Sequence, residues 1–459
     1  MRTTIRELPF YKEAADIFEL YKERELAVFL DSALENSLGQ YSIIGLFPYL
    51  ILKEENGIFS RNGRAEEGTL EDALKETLAC LREDNPTKLP LAAGAIGYFS
   101  YDYGRKFESI ATRHPGKMNM PEAMFAFYDL LILEDKKEKK LYLTARGETR
   151  EAEALLDQVQ EEISRCPEAI RPPKWDRQAA FTPNFEKEEY KKAIDQMISY
   201  IVEGDIYIAN MTQQLTVRSN RKPYDVYRYL RTHNPAPFAG YFNCGGFQIV
   251  GASPERFLQV KGGRVETRPI KGTRKRGATP QEDEALRREL QESSKDRSEL
   301  LMIVDLERND LSHVCRPGSV KVTEHFAVEA YATVFHLVTT IVGEIQESLT
   351  AVDLVKAALP GGSITGAPKI RAMEIIDELE HDRRGLYTGS IGYFSLNGDC
   401  DLNIVIRTAV YQDGIYHLGV GGGITCESEL EFEYEETLQK AKAVLEALAE
   451  EGEREDAGR

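Results

Sequence analysis

The chain has 459 residues, 42% of them hydrophobic and 29% charged, the balance of a soluble globular protein with room for one large core or two. Its formal net charge of -18 excludes a general polyanion binder, because nucleic acids are met by basic patches, so any anionic substrate must find a local cationic site. Six cysteines without a CxxC pair and seven histidines without HExxH exclude a disulfide frame and a zinc site and fit reduced thiols. The N-terminus, Met1 to Glu7, is not followed by an apolar run, and the longest apolar stretch, Tyr41 to Leu52, is interrupted by Gly45 and Pro48. The expectation is a cytoplasmic protein without a membrane span or a nucleic-acid partner.

In chain order, residues 1–165 alternate strand-like runs (Tyr41 to Ile44, Leu130 to Leu133, Leu141 to Leu143) with helical ones (Leu70 to Leu81, Glu151 to Ser164), which predicts a mixed α+β region. Residues 166–185 break the pattern with Pro167, Pro172, Pro173 and Pro183 and read as a linker. A helix from Lys187, apolar at Tyr190, Ile194, Met197 and Ile201, opens a second region over residues 186–450. There the strands Phe247 to Gly251, Gly389 to Phe394, Leu402 to Tyr411 and Ile415 to Val420 alternate with helices over about 280–304, 367–381 and 430–450. The short turn Leu396-Asn397-Gly398-Asp399 predicts antiparallel pairing. Residues 451–459 form a charged tail, expected to fray.

Several segments carry chemistry. In Pro269-Ile270-Lys271-Gly272-Thr273-Arg274, Lys271 follows an extended run after the Gly262-Gly263 turn. It is either a solvated lysine or a nucleophile whose ammonium is discharged by burial or nearby positive charge. In the last helix Glu433, Glu436 and Lys440 fall at spacings of three and four, so one face carries either a salt-bridge ladder or a binding set. Gly421-Gly422-Gly423 offers backbone N–H groups to an anion, and Pro360 to Lys369 leads into a helix whose N-terminus favours negative charge. Glu299, ahead of an apolar run, is either salt-bridged or, with a second carboxylate from the last helix, suited to Mg²⁺. Glu255 ends a strand at a proline turn, as a general acid or a partner of Arg256, and His336 lies within the apolar run Val334 to Val338 as a core histidine by default.

Together these segments resemble the chorismate-utilising enzymes, the family of anthranilate synthase component I and aminodeoxychorismate synthase component I. The resemblance runs through Gly204 to Tyr207, Gly251 to Glu255, Pro269 to Thr273, Lys295 to Arg297, Asp305 to Leu311, Pro360 to Asp377, Tyr387 to Gly389, Arg407 to Ala409 and Glu433 to Lys440. N-terminal matches at Leu30 to Ala33, Gly39 to Gly45 and Gly97 to Asp102 extend it over nearly the whole chain. The Asp31-Ser32 region is similar to a part that binds tryptophan in some relatives. The fold implied is α+β, two antiparallel β-sheets packed as a sandwich with helices outside and the site in a cleft.

The resemblance also implies roles. Glu299 and Glu436 would hold Mg²⁺, and Tyr387, Arg407, Lys440 and the amides of Gly421, Gly422 and Gly423 would hold the two carboxylates of chorismate. Thr273 would line the ring, Glu255 would protonate the departing carbon 4 hydroxyl, and His336 would be an active-site histidine. Anthranilate synthases are similar but typically carry alanine where this chain has Lys271, whereas aminodeoxychorismate synthases carry the lysine. Lys271 would add at ring carbon 2 and leave as ammonia adds at carbon 4. Isochorismate and salicylate synthases have a water-activating lysine where this chain has Ile208. The implied activity is aminodeoxychorismate synthesis, with anthranilate synthesis as the alternative. No Gly-x-Cys-x-Gly segment surrounds a cysteine, so ammonia is expected from a separate glutamine amidotransferase subunit. The short stretch after Lys440 is expected to leave no room for a fused lyase.

Overall fold

The strands marked by β-branched and aromatic runs extend well beyond those runs in the computed structural model, which describes residues 2–330 and 334–450. The run at Tyr41 to Ile44 opens the 15-residue strand Tyr41–Glu55, and the run at Leu130 to Leu133 lies in the 13-residue strand Ala123–Asp135. Every residue of Ala123–Asp135 is buried, so it has no polar face to give the alternation that delimits a half-exposed strand. The charged tail expected over 451–459 lies outside the described residues.

The described strands pair antiparallel and join one hydrogen-bonded network of 22. At one end Ile208–Arg218 pairs with Ile415–Ile424, followed by Thr408–Gln412, Gln248–Ser253, Phe238–Asn243, Val28–Asp31 and Tyr41–Glu55. Ala123–Asp135 lies beside Tyr41–Glu55 on one edge and shares its other edge between Lys140–Ala145 and Gly94–Phe99. From Gly94–Phe99 the ladder passes through Ser390–Ser395, Cys400–Asn403, Arg256–Lys261 and Arg264–Thr267 to Val334–Glu344, which also pairs with Ile270–Lys275.

The sheet curls until its ends face each other. A Cβ built on Gly423, at one end of the path, would stand 2.8 Å from Lys271 Nζ, at the other. The hydrogen bonds therefore run through one curled sheet and not through the two separate sheets expected. The long pair Tyr41–Glu55 and Ala123–Asp135 carries the ladder around the curl, helped by an irregularity between Pro48 and Leu50, where proline supplies no N–H. Inside the curl a core of strand residues (Ile43, Ile96, Tyr98, Tyr128, Leu131, Phe242, Ile249) is closed off from water. Three further cores among the described residues lie under helices, one beneath Pro223–His233 and Leu430–Leu448, one beneath Leu70–Cys80, Ser294–Ser312 and Ala351–Ala358, and a smaller one beneath Lys187–Glu203 and Lys369–Leu379.

Residues 1–165 and 186–450 share this sheet, since Val28–Asp31 pairs with Phe238–Asn243 and Gly94–Phe99 with Ser390–Ser395. The proline-bearing segment 166–185 is tied down over the last helix: Trp175 Nε1 donates to Glu446 O at 2.8 Å and its ring stacks on Tyr229. Two predicted elements are divided. The helix over 280–304 is Pro280–Glu292 followed by Ser294–Ser312, because Ser293 leaves helical geometry and caps the second helix through Asp296 N–H at 3.2 Å. The strand over 402–411 is Cys400–Asn403 and Thr408–Gln412, interrupted ahead of Arg407, whose φ is +50°.

Candidate active site

The cleft between the facing sheet ends is a cavity of about 630 Å³. It is lined by Glu255, Lys271, Thr273, Glu299, His336, Tyr387, Arg407, Gly421, Gly423, Glu436 and Lys440, which is every expected site residue except Gly422. A larger cavity of about 920 Å³ opens beside Leu30, Asp31 and Ser32 and gathers none of this set.

Lys271 and Thr273 reach the cavity from the strand Ile270–Lys275, in which Gly272, at φ +73°, is the extra residue of a β-bulge opposite His336 and Leu337. A side chain at 272 would strike Asp296 and Leu290 at 2.8 Å, so glycine is required by backbone and space together. His336 is buried, with Nδ1 3.0 Å from Thr273 Oγ1. Burial, reinforced by the Arg407 charge, pushes its pKa down to about 4, so the imidazole is neutral near pH 7. Thr388 and Arg407 both have positive φ, +61° and +50°, and these strained positions set the Tyr387 and Arg407 side chains on the cavity wall. Tyr387 lies against Gly419, where a Cβ would stand 2.1 Å from the ring.

Glu255 is buried and its carboxylate accepts from Ser363 Oγ at 2.8 Å. Arg256 does not pair with it; that guanidinium goes to Asp401 at 2.9 Å and Glu266 at 3.1 Å. Burial raises Glu255 to about 7 despite the Ser363 hydrogen bond and the Lys271 charge, leaving a carboxyl able to carry a proton at neutral pH.

The last helix presents Glu433 and Glu436 to the cavity, with Lys440 Nζ donating to Gly421 O at 2.9 Å and Glu436 at 3.1 Å. Glu299 comes from Ser294–Ser312, its side chain 13% exposed and 4.0 Å from Lys295. Burial raises both Glu299 and Glu433, and the Glu436 charge pushes each further up. Mutually repelling carboxylates around one cavity fit a hard divalent cation that takes one or two carboxylates and fills its shell with water and substrate oxygens. Among the described residues no group of three or more His, Cys, Asp or Glu side chains is arranged to hold a metal ion by itself, so substrate and water oxygens would have to complete the shell.

The three glycines occupy a strand and not a loop. Gly421, Gly422 and Gly423 stand opposite Thr212, Met211 and Asn210. Thr212 N–H turns away to Glu380 and Asn210 N–H to Thr365 O, so Gly421 and Gly423 direct their own N–H groups away from that neighbour, on the side where Lys440 meets Gly421 O. Gly422 belongs to the ladder-bonded pair, and a Cβ there would stand 2.8 Å from Glu436 Oε2. The Pro360 to Lys369 segment also differs from expectation. Only Ser363 and Ile364 of it line the cavity, and Lys369, buried, turns to Asp310 at 2.6 Å.

The family described as chorismate binding enzyme matches residues 34–446. This chain belongs to the chorismate-binding enzymes. Aminodeoxychorismate synthase component 1 of Bacillus subtilis is 38% identical to it over 455 residues, 96% of this chain and 96% of the relative. Anthranilate synthase component 1 of Acetivibrio thermocellus is 37% identical over 458 residues, 95% and 93% respectively. The crystal structure of anthranilate synthase component I from Streptococcus pneumoniae TIGR4 matches with a TM-score of 0.80 and 33% identity, covering 90% of this chain and 93% of that one. The fold of this chorismate-binding enzyme is thus that of anthranilate synthase component I, mixed helix and strand around a large curled antiparallel sheet.

Three groups in the cleft of this chorismate-binding enzyme escaped sequence reasoning: Ser363, which holds Glu255; Asn210, on the wall; and Gly419, which admits Tyr387. Ser363 stood within a segment already singled out for its glycines. Asn210 and Gly419 carry no local signal, since their roles depend on strands far away in sequence.

Proposed function

We propose that this chorismate-binding enzyme aminates chorismate at ring carbon 4, as the component I of an aminodeoxychorismate synthase in p-aminobenzoate and folate synthesis. Ammonia comes from a separate glutamine amidotransferase subunit in the cytoplasm. The observation that carries the reading is the position of Lys271, whose Nζ projects across the cleft to where a Gly423 Cβ would stand and shares the cavity with Glu255.

In this reading the free amine of Lys271 bonds to ring carbon 2 while the carbon 4 hydroxyl leaves as water with the proton of Glu255. Ammonia then bonds to carbon 4, the carbon 2 bond to Lys271 breaks, and the proton shed by the new ammonium restores Glu255. Two displacements in series place nitrogen on the carbon that lost oxygen. Arg407, Tyr387, Lys440 and the outward amides of Gly421 and Gly423 hold the substrate carboxylates, and Thr273 and neutral His336 line the ring. Glu299 and Glu436, with Glu433 beside them, are the residues that would hold Mg²⁺, whose charge would neutralise and orient a substrate carboxylate.

The second reading is anthranilate synthase component I, in which ammonia attacks carbon 2 and pyruvate is lost. It is favoured by the 37% identity to the Acetivibrio relative and opposed by Lys271, which projects into the cleft as a second nucleophile. Incubation with chorismate, Mg²⁺ and ammonium, with and without an aminodeoxychorismate lyase, separates the two. Lyase-dependent p-aminobenzoate supports carbon 4 amination; anthranilate formed without lyase overturns it.

A further inference from the structure

Behind Glu255 lies a second buried carboxyl that the proposed chemistry does not use. Glu307, on the helix Ser294–Ser312, is 8% exposed, and among the described residues no salt bridge reaches it. Its Oε2 is 3.0 Å from Thr267 Oγ1. The same hydroxyl is 2.7 Å from Phe257 O, two residues beyond Glu255. A threonine hydroxyl has one hydrogen to give and the Phe257 carbonyl can only accept, so the shorter contact takes that hydrogen. The contact with Glu307 is then a hydrogen bond only when the carboxyl is the donor. Gly362 closes the site from the other side: a Cβ there would stand 3.2 Å from Glu307 Cγ, and the next residue, Ser363, holds Glu255.

We infer that Glu307 is a positioning residue, kept as a neutral carboxylic acid that donates to Thr267 and so fixes the turn bearing Glu255, leaving Glu255 as the carboxyl of the pair that titrates. The inference rests on the reading of Glu255 as the proton donor. The charged groups around Glu307 are Glu255, Asp310 and Lys369, and Lys369 is already committed to Asp310 at 2.6 Å. Burial, and then the repulsion of Glu255, raise Glu307 well above the carboxylate range.

The test compares Glu307→Gln with Glu307→Met in the full chain. Glutamine is neutral and keeps a donor for Thr267; methionine keeps the packing and loses the donor. Expected is a Gln variant within about twofold of the parent in kcat and with an unmoved alkaline limb in kcat/KM, and a Met variant lowered about threefold or more in kcat at similar KM. A limb displaced to lower pH in the Gln variant overturns the inference, because removing a real negative charge would release the repulsion on Glu255.

Stability supplies a readout independent of Glu255. A carboxyl protonated when folded and ionised when unfolded makes the parent lose stability as pH rises above the unfolded pKa. The Gln variant lacks that loss, so its unfolding midpoint gains on the parent as pH rises above the unfolded carboxylate range. Parallel curves overturn the neutral carboxyl. A Glu255→Gln variant that keeps full activity, with the stability gain of Glu307→Gln still present, refutes the acid role of Glu255 alone.

Discussion

Lys271 and Glu255 divide the proposed chemistry at the residue scale, one as nucleophile and one as acid, and each predicts a separate loss. Lys271→Ala removes the amine while leaving Arg407, Tyr387 and the glycine amides in place. The expected outcome is chorismate binding within a few-fold of the parent, by calorimetry, and loss of lyase-dependent p-aminobenzoate. Undiminished 4-amino-4-deoxychorismate would exclude the covalent step. In the proposed chemistry Glu255, at about 7, would work in its protonated form, which is complete below that value and lost above it. The free-enzyme profile of kcat/KM should therefore fall about tenfold per pH unit above this point. Glu255→Gln, lacking a proton to give, should lower kcat by about 10²- to 10⁴-fold and abolish the limb. The identity of both residues was legible in the sequence. Their environment was not, because Glu255 is buried among segments distant in sequence: Ser363, whose hydrogen bond opposes the upward shift, lies 108 residues away.

At the scale of elements, three of the site side chains depend on a local irregularity: the Gly272 bulge beside Lys271 and the positive φ at Thr388 and Arg407, which sets Tyr387 and Arg407. Glycine pairs reveal turns in a sequence, as at Gly262-Gly263, whose φ values are +56° and +80°. A left-handed arginine carries no such mark, and Leu402 to Tyr411 accordingly reads as one strand. The helix break at Ser293 is visible only as a polar interruption of a charged pattern. Ser293 caps the helix that delivers Glu299, so Ser293→Ala should cost about 1 kcal/mol by urea unfolding. If that helix end is also what holds Glu299 on the cavity, the Mg²⁺ concentration for half-maximal activity should rise as well.

Across the whole molecule, the segments forming the cleft converge on one buried ion pair, Arg384 with Glu380 at 2.7 Å, their side chains 2% and 5% exposed. Arg384 also donates to Ile364 O at 2.7 Å and to Asn210 O, while Glu380 accepts from Thr212 N and Oγ1. Three stretches are tied together there: the strand Ile208–Arg218, the segment around Ile364 and the run from Glu380 that leads to Tyr387. Arg384→Met would leave Glu380 buried without its counter-charge, and the expected loss is about 3–5 kcal/mol in denaturant unfolding. An unchanged midpoint would mean that packing alone holds the cleft. The mixed helix-and-strand character and most helices followed from the sequence by itself, because hydrophobic period and glycine placement are local properties written in order along the chain, whereas the family and the expected site residues came through the resemblance of its motifs. Which glycine amides face the cleft, that one curled sheet replaces two, and that Glu255 sits above a second carboxyl were decided only by the tertiary structure. Each of these depends on antiparallel register or on burial between segments distant in sequence, and a linear sequence carries no direct record of either.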